Sequence, residues 1–313
     1  MSERDFLVVD TTARKQYPAE ALAQLGDLNV RFEPRRATSD DEVIEVAQDA
    51  DAILVTAAYV TRRALEALQP KLRAVVRYGI GLDRIDLDAA RELGVQIRNV
   101  PDFCIVEVAD HAIALMLAVA RDIVPRAVDT QEGRWRGTQR KLHRIAGRTA
   151  GIVGIGGIGG EVAKRLAGFG LTLIAHDPYA DAQRAEALGV RLVEIDELLS
   201  RADFVMLTCP LTDETEGMID REALAMMKPD AIIVNTSRGE LIDEEALAQA
   251  LAEGRIGGAG LDVLAQEPAP DDHPLLSLEN VVITPHVAWY SEEARQDLVF
   301  GAMRELGEVL REL

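Results

Sequence analysis

The chain has 313 residues, with 34 basic and 53 acidic side chains and a net charge of -19. That length suits two domains with a core each, and the charge argues against a nucleic-acid or anionic-membrane surface. Any anionic ligand must then be held by locally placed arginines. The two cysteines, Cys104 and Cys209, form no ligand or redox motif and are expected to be small core residues in a reducing compartment.

Met1 to Asp5 carries charges of both signs and Phe6 to Val9 is only strand-length, which disfavours a secretory signal. The longest unbroken apolar run, Ala112 to Ala120, is flanked by Asp110, His111 and Arg121 and is too short to span a bilayer. A cytoplasmic protein with no membrane partner is expected.

The first hundred residues alternate between strand and helix patterns. Strands are predicted at Phe6 to Asp10, Asn29 to Phe32, Ala52 to Thr56, Ala74 to Arg77 and Gln96 to Val100. Helices are predicted at Ala19 to Leu25, Asp40 to Ala47, Thr61 to Leu68 and Leu87 to Leu93. Such alternation gives a parallel sheet covered by helices. After Asn99-Val100-Pro101 the strongly apolar stretch Ile105 to Arg121 predicts a buried helix that crosses between domains. Ile123 to Arg148 is basic, with Arg126, Arg134, Arg136, Arg140, Lys141, Arg144 and Arg148 around Trp135. A solvated face is the default reading, and a subunit-contact arm making a homodimer is the sharper one.

Ala150 to Val153 then reads as a buried strand, Gly154-Ile155-Gly156-Gly157-Ile158-Gly159 matches G-x-G-x-x-G, and Glu161 to Phe169 has helical spacing. Gly154 allows the sharp turn out of the strand and Gly156 lets a pyrophosphate approach the backbone. Gly159 lets the helix pack close to the sheet, with Gly157 and Ile158 at its amide end. Asp177, at the end of the next apolar run, lies 18 residues past Gly159 (177 minus 159). A carboxylate there can accept the ribose hydroxyls of an adenosine and repel a 2′-phosphate, so NAD is favoured over NADP. The bland alternative is that Asp177 only begins the turn Asp177-Pro178-Tyr179.

Further strands are predicted at Arg191 to Val193, Phe204 to Thr208, Ala231 to Asn235, Gly258 to Val263 and Val281 to Thr284, which completes a doubly wound sheet. Ligands bind outside the carboxyl ends of such strands, which singles out Cys209, Pro210, Thr236, Ser237, Arg238, Asp262, Glu267 and His286. Arg238 suits a carboxylate clamp because its planar fork makes two contacts and keeps its charge. His286 suits the acid that protonates a carbonyl oxygen, with Glu267 holding the ring. Singly, each could be a turn cation, a solvated acid or a structural histidine. Their placement after successive strands is what joins them into a site for 2-keto acid reduction. His111, His143, His176 and His273 are read as structural, and no spacing suggests a metal.

Over essentially its full length the chain resembles the D-isomer-specific 2-hydroxyacid dehydrogenase family. The resemblance rests on Gly154 to Gly160, Val234 to Gly239, Gly260 to Val263 through Glu267-Pro268, and Thr284-Pro285-His286. It implies Arg238, Glu267 and His286 as the catalytic set and Asp262 as the acceptor for the nicotinamide amide. It also implies a glycine-rich loop at Arg77-Tyr78-Gly79-Ile80-Gly81 whose backbone amides bind the substrate carboxylate. The fold it implies is a Rossmann NAD-binding domain at 101–290 and a discontinuous, flavodoxin-like α/β substrate-binding domain at 1–100 and 291–313. Domain closure would exclude water. Asp110 stands where glutamate is more usual.

The run His286-Val287-Ala288-Trp289-Tyr290-Ser291 is similar to the C-terminal-binding-protein branch, whose members bind NAD(H) and serve as corepressors in animals. If Trp289 lines the substrate pocket, it favours an apolar or thioether tail; otherwise it is core. Two functions therefore stand side by side, an NAD-dependent dehydrogenase of small 2-hydroxy acids and an NAD(H)-sensing binding protein. Length and charge weigh against the second, since the chain stops after the last helix. Within the enzymes, 3-phosphoglycerate oxidation is the alternative, with Arg77 and Arg84 as phosphate candidates.

Overall fold

The computed structural model describes residues 5–135 and 140–313. The expectations placed on Met1 to Arg4 and on Arg136 lie outside the described residues. The chain divides into two units, Met1–Cys104 with Ser291–Leu313, and Ile105–Tyr290. The first junction falls after Cys104 and not after Val100, because Val100 and Phe103 still pack in the first unit's core.

The first unit runs β1 (Asp5–Asp10), α1 (Ala19–Leu22), β2 (Asn29–Pro34), α2 (Asp40–Val46), β3 (Ala52–Val55), α3 (Arg62–Ala67), β4 (Ala74–Arg77), α4 (Leu87–Leu93) and β5 (Gln96–Asn99). Its five parallel strands lie in the order β2-β1-β3-β4-β5, the flavodoxin-like arrangement. The central strands carry buried apolar runs, Ala-Ile-Leu-Val in β3 and Ala-Val-Val before Arg77 in β4, because helices cover both faces. Val9, Ile53, Val55 and Val75 pack on one face with Val43, Leu65 and Ala89 of α2, α3 and α4. Val8, Leu54 and Val76 pack on the other with the C-terminal helix Glu292–Glu312 through Val299, Met303, Leu306 and Leu310. The unit is therefore discontinuous in sequence. Ser291 Oγ starts that helix by accepting from Ala294 N at 2.9 Å.

The second unit opens with α5 (Ile105–Ala120) and α6 (Ile123–Gln131). There follow β6 (Thr149–Val153), α7 (Gly157–Ala167), β7 (Thr172–His176), α8 (Ala182–Ala187), β8 (Val190–Leu192), α9 (Ile195–Arg201) and β9 (Phe204–Leu207). It ends with α10 (Arg221–Met226), β10 (Ile232–Asn235), α11 (Glu244–Ala252), β11 (Gly258–Leu261) and β12 (Val281–Ile283). Seven parallel strands lie in the order β12-β11-β10-β9-β6-β7-β8. The chain leaves β6 toward β7 and β8, then returns to β9 on the other side of β6. That reversal is the switch point at which a doubly wound sheet opens a crevice.

Helix α5 is buried through Val108, Ala109, Ala112, Met116 and Val119, as its composition predicts. The basic segment after it is only partly the solvated face expected. Helix α6 has no buried residue and leaves Ile123, Val124 and Val128 exposed, with Trp135 at 84% exposure. Arg126 and Arg140 instead turn inward to Asp122, a carboxylate 2% exposed, at 3.2 and 3.5 Å. No helix among the described residues is long and apolar enough to cross a membrane.

Candidate active site

Gly154 leaves β6 with φ 86°, a left-handed conformation, and its amide donates to His176 O at 2.9 Å. A Cβ at Gly154 would stand 2.7 Å from Cys209 Cα, so the turn is pressed against the end of β9. A Cβ at Gly156 would meet no atom within 4 Å. The backbone there borders open space at the N-terminus of α7, as an approaching pyrophosphate requires. Gly157, Ile158 and Gly159 form the helix's first turn. Asp177 Oδ2 accepts from Ile155 N and its Oδ1 from Tyr179 N, both at 2.9 Å. The carboxylate thus ties the glycine turn to the Asp177-Pro178-Tyr179 turn, and with two of about four acceptor positions used it retains capacity for ribose hydroxyls. The residues present therefore fit a dinucleotide.

At the end of β9, Cys209 is buried and Pro210 exposed. Burial pushes the Cys209 thiol up to about 11. Ser237 Oγ donates to Cys209 O, joining this loop to the one after β10. The Thr236 hydroxyl is buried and has no hydrogen-bond partner among the described residues.

Asn235, fully buried, shapes the loop that carries Arg238. Its Oδ1 accepts from Ser237 N at 3.0 Å and its Nδ2 donates to Arg238 O at 2.7 Å, an Asx-type turn. Gly239 follows because a Cβ there would lie 2.0 Å from the backbone carbon of Leu264. Only glycine lets the Arg238 loop rest against the 264–265 backbone, and that contact brings it to the loop holding Glu267. Arg238 Nη1 donates to Ser237 O at 2.7 Å.

His286 and Glu267 are joined directly, Nδ1 to Oε2 at 2.7 Å. Glu267 Oε1 accepts from Leu264 N at 3.2 Å, which fixes the carboxylate at its other end. The imidazole side chain is 45% exposed, and among the described residues Nδ1 is engaged while Nε2 makes no hydrogen bond. His286 has φ 54°, unusual for a residue with a Cβ, and its amide donates to Asp262 O at 2.7 Å. Asp262 Oδ1 accepts from Thr284 Oγ1 at 2.5 Å and Val287 N at 3.0 Å, while Oδ2 accepts from Ala288 N at 2.7 Å. Sequence reasoning assigned Asp262 to the cofactor alone and gave no role to Asn235 or Thr284. An Asx residue at each strand end, Asn235 and Asp262, was the available signal.

In the first unit, Gly79 has φ 139° and Arg77 Nη1 donates to Tyr78 O, so the arginine folds over its own loop. The Tyr78 side chain is 4% exposed and belongs to the core, where burial and the nearby Asp10 charge raise its hydroxyl's pKa. Any ligand contact by Tyr78 is thus limited to its backbone. Among the described residues the amides of Gly79, Ile80 and Gly81 donate to no protein acceptor. Arg84 Nη1 donates to Ala57 O at 2.8 Å and its guanidinium lies 5.0 Å from the Tyr59 ring centroid. Trp289, half-buried in the second unit, meets Tyr290 edge-on at 5.5 Å. No group of three or more His, Cys, Asp and Glu side chains among the described residues could hold a metal.

Residues 113–288 match the family model for the D-isomer specific 2-hydroxyacid dehydrogenase NAD binding domain, which makes NAD the cofactor of this unit. A D-3-phosphoglycerate dehydrogenase of Mycobacterium tuberculosis is 45% identical over 275 residues, 88% of this chain and 52% of the relative. A glyoxylate reductase of Korarchaeum cryptofilum is 43% identical over 257 residues, 81% of this chain and 77% of the relative. The solved structure of a glyoxylate reductase from Paecilomyes thermophila superposes with a TM-score of 0.87 at 29% identity, covering 96% of this chain and 94% of that one. The chain spans about half the length of the phosphoglycerate dehydrogenases it matches. On this extent of match in sequence and fold, the chain belongs to the D-isomer-specific 2-hydroxyacid dehydrogenase family.

Proposed function

We propose that the chain is an NAD-dependent D-2-hydroxyacid dehydrogenase, working as a 2-keto acid reductase in the reverse direction. The observation that carries this reading is the 2.7 Å contact between His286 Nδ1 and Glu267 Oε2, one loop away from Arg238. With Nδ1 held by the carboxylate, Nε2 is the nitrogen that gives a proton to the C2 oxygen in reduction and takes it back in oxidation. Glu267 orients the ring and sets a negative charge beside it when it is protonated. Arg238 pairs with the substrate carboxylate and polarises the carbonyl. Asp262 keeps one acceptor position on Oδ2, enough for a single amide N–H of the nicotinamide. NAD, when bound, supplies or accepts the hydride at C2.

The amides of the 79–81 loop, which donate to no protein acceptor among the described residues, are the first unit's own candidate for binding a carboxylate. Oxidation of 3-phosphoglycerate is a second reading, favoured by the names of the relatives. Arg77 and Arg84, the phosphate candidates, already bind main-chain carbonyls in the first unit, which favours an unphosphorylated acid. The exposed apolar residues of α6 and Trp135 support a homodimer, and the two free cysteines support a cytoplasmic setting. NADH consumption against a panel of 2-keto acids tests the function. Tight NADH binding without turnover of any of them would transfer the weight to the NAD(H)-sensing binding protein.

A further inference from the structure

We infer that His111 is a positioning residue for His286, acting through Thr284 and Asp262; this rests on the catalytic reading of His286 above. His111 sits on α5 and its Nε2 lies 2.9 Å from Thr284 Oγ1 and 3.5 Å from Asp262 Oδ1. Thr284 has one hydroxyl hydrogen, and its 2.5 Å bond to a carboxylate oxygen takes it. Nε2 of His111 must therefore carry a hydrogen and donate to the Thr284 oxygen. The direction of the whole chain of bonds is then fixed, from His111 to Thr284 to Asp262.

Asp262 is where that chain meets the catalytic loop. Its main-chain oxygen takes the amide of His286, Oδ1 that of Val287 and Oδ2 that of Ala288. Three successive amides, all accepted by this one residue, hold His286 in its left-handed conformation, which a residue with a Cβ leaves unless it is held. Asp262 is 1% exposed, so its carboxylate cannot be oriented by water. Thr284 and His111 are the side chains that orient it, and His111 is the side chain that comes from outside this loop. The histidine is only partly covered, 24% exposed, and among the described residues it makes no hydrogen bond or ion pair to Glu267 or His286, so its effect passes through Asp262.

The test is a set of variants of the full chain, read by steady-state kinetics and by hydrogen exchange of segment 284–288 without substrate. His111→Ala is expected to lower kcat roughly ten- to a hundredfold with KM within about threefold, the pattern of a misplaced acid. His111→Gln, whose amide can occupy the place of Nε2 and donate, is expected to recover most of that loss. Thr284→Val should match His111→Ala, and the double variant should fall no further than the worse single one. Segment 284–288 should exchange faster in His111→Ala and Thr284→Val and near the wild-type rate in His111→Gln.

Unchanged kcat and unchanged exchange in His111→Ala would overturn the inference, and so would additive losses in the double variant. If His111→Ala does not fold, Thr284→Val against Thr284→Ser decides, since serine keeps the hydroxyl. Equal behaviour of those two would also overturn it. Exchange is readable in a protein that turns over nothing. A wild type without turnover but with slower exchange than His111→Ala therefore fails the proposed function and leaves this inference standing.

Discussion

Glu267 Oε2 stands 2.7 Å from His286 Nδ1 across a sequence separation of 19 residues, and the other carboxylate oxygen is held by Leu264 N. The pair is thus built from a strand-end loop and a backbone anchor, with the anchor deciding where the imidazole points. Glu267→Gln keeps an acceptor for Nδ1 and removes the charge. We expect kcat/KM to fall roughly ten- to a hundredfold with NADH binding within about twofold. Steady-state kinetics beside fluorescence titration checks it, and equal kcat/KM in variant and wild type would remove Glu267 from the mechanism.

Asp177 holds two amides and has acceptor capacity left for a ribose. Asp177→Ala should weaken NADH binding, because Ile155 N in the glycine turn loses its partner. It should also move the NADH to NADPH preference toward NADPH by roughly tenfold or more, since the charge opposing a 2′-phosphate is gone. Competition binding of the two cofactors measures it. A variant with weaker binding but the same preference would make Asp177 a turn residue only.

The buried Cys209 thiol, pushed up to about 11, is protonated across the neutral range. Its thiolate fraction at pH 8 is roughly a hundredfold below that of a free thiol, and it rises with pH toward 11. Iodoacetamide should therefore modify Cys209 of the native protein slowly at pH 8 and faster as pH is raised, with denatured protein reacting at once. Mass spectrometry of the modified peptide reads this. Rapid native labelling at pH 8 would show a thiol that is not held as described.

Ile123, Val124 and Val128 of α6 and Trp135 lie exposed together in a short stretch of chain. A homodimer that covers them should give a solution mass of twice 34.1 kDa, and Val128→Glu should shift it toward one. Sedimentation at working concentration measures this. A monomeric wild type would contradict the dimer.

Much of the second unit is legible in sequence because its central strands carry short apolar runs, such as Phe204 to Leu207 and Ile232 to Val234, bounded by turn residues. Burial on both faces writes that signal directly. The site residues at their carboxyl ends are legible for the same reason, since the sheet's topology names the edge. Helix α6 is less so, because Pro125 and mixed charges mask its period and its carboxylate anchor Asp122 precedes it. Tyr78 reads as a ligand residue from its loop, yet its side chain is drawn into a core with Asp10 and Tyr17 of the strand and loop far earlier in the chain. The His111 to Thr284 contact spans 173 residues, and no local pattern encodes such a pair. Substrate identity stays illegible for a related reason, as it depends on side chains whose spacing in sequence says nothing of their spacing in space.

The most direct test of the central claim is NADH consumption with glyoxylate, hydroxypyruvate, phosphohydroxypyruvate, pyruvate and longer apolar or thioether 2-keto acids, using His286→Ala as control. The account predicts turnover of an unphosphorylated member that His286→Ala abolishes while NADH still binds. Turnover that survives in His286→Ala, or none in the wild type with NADH bound, would contradict it.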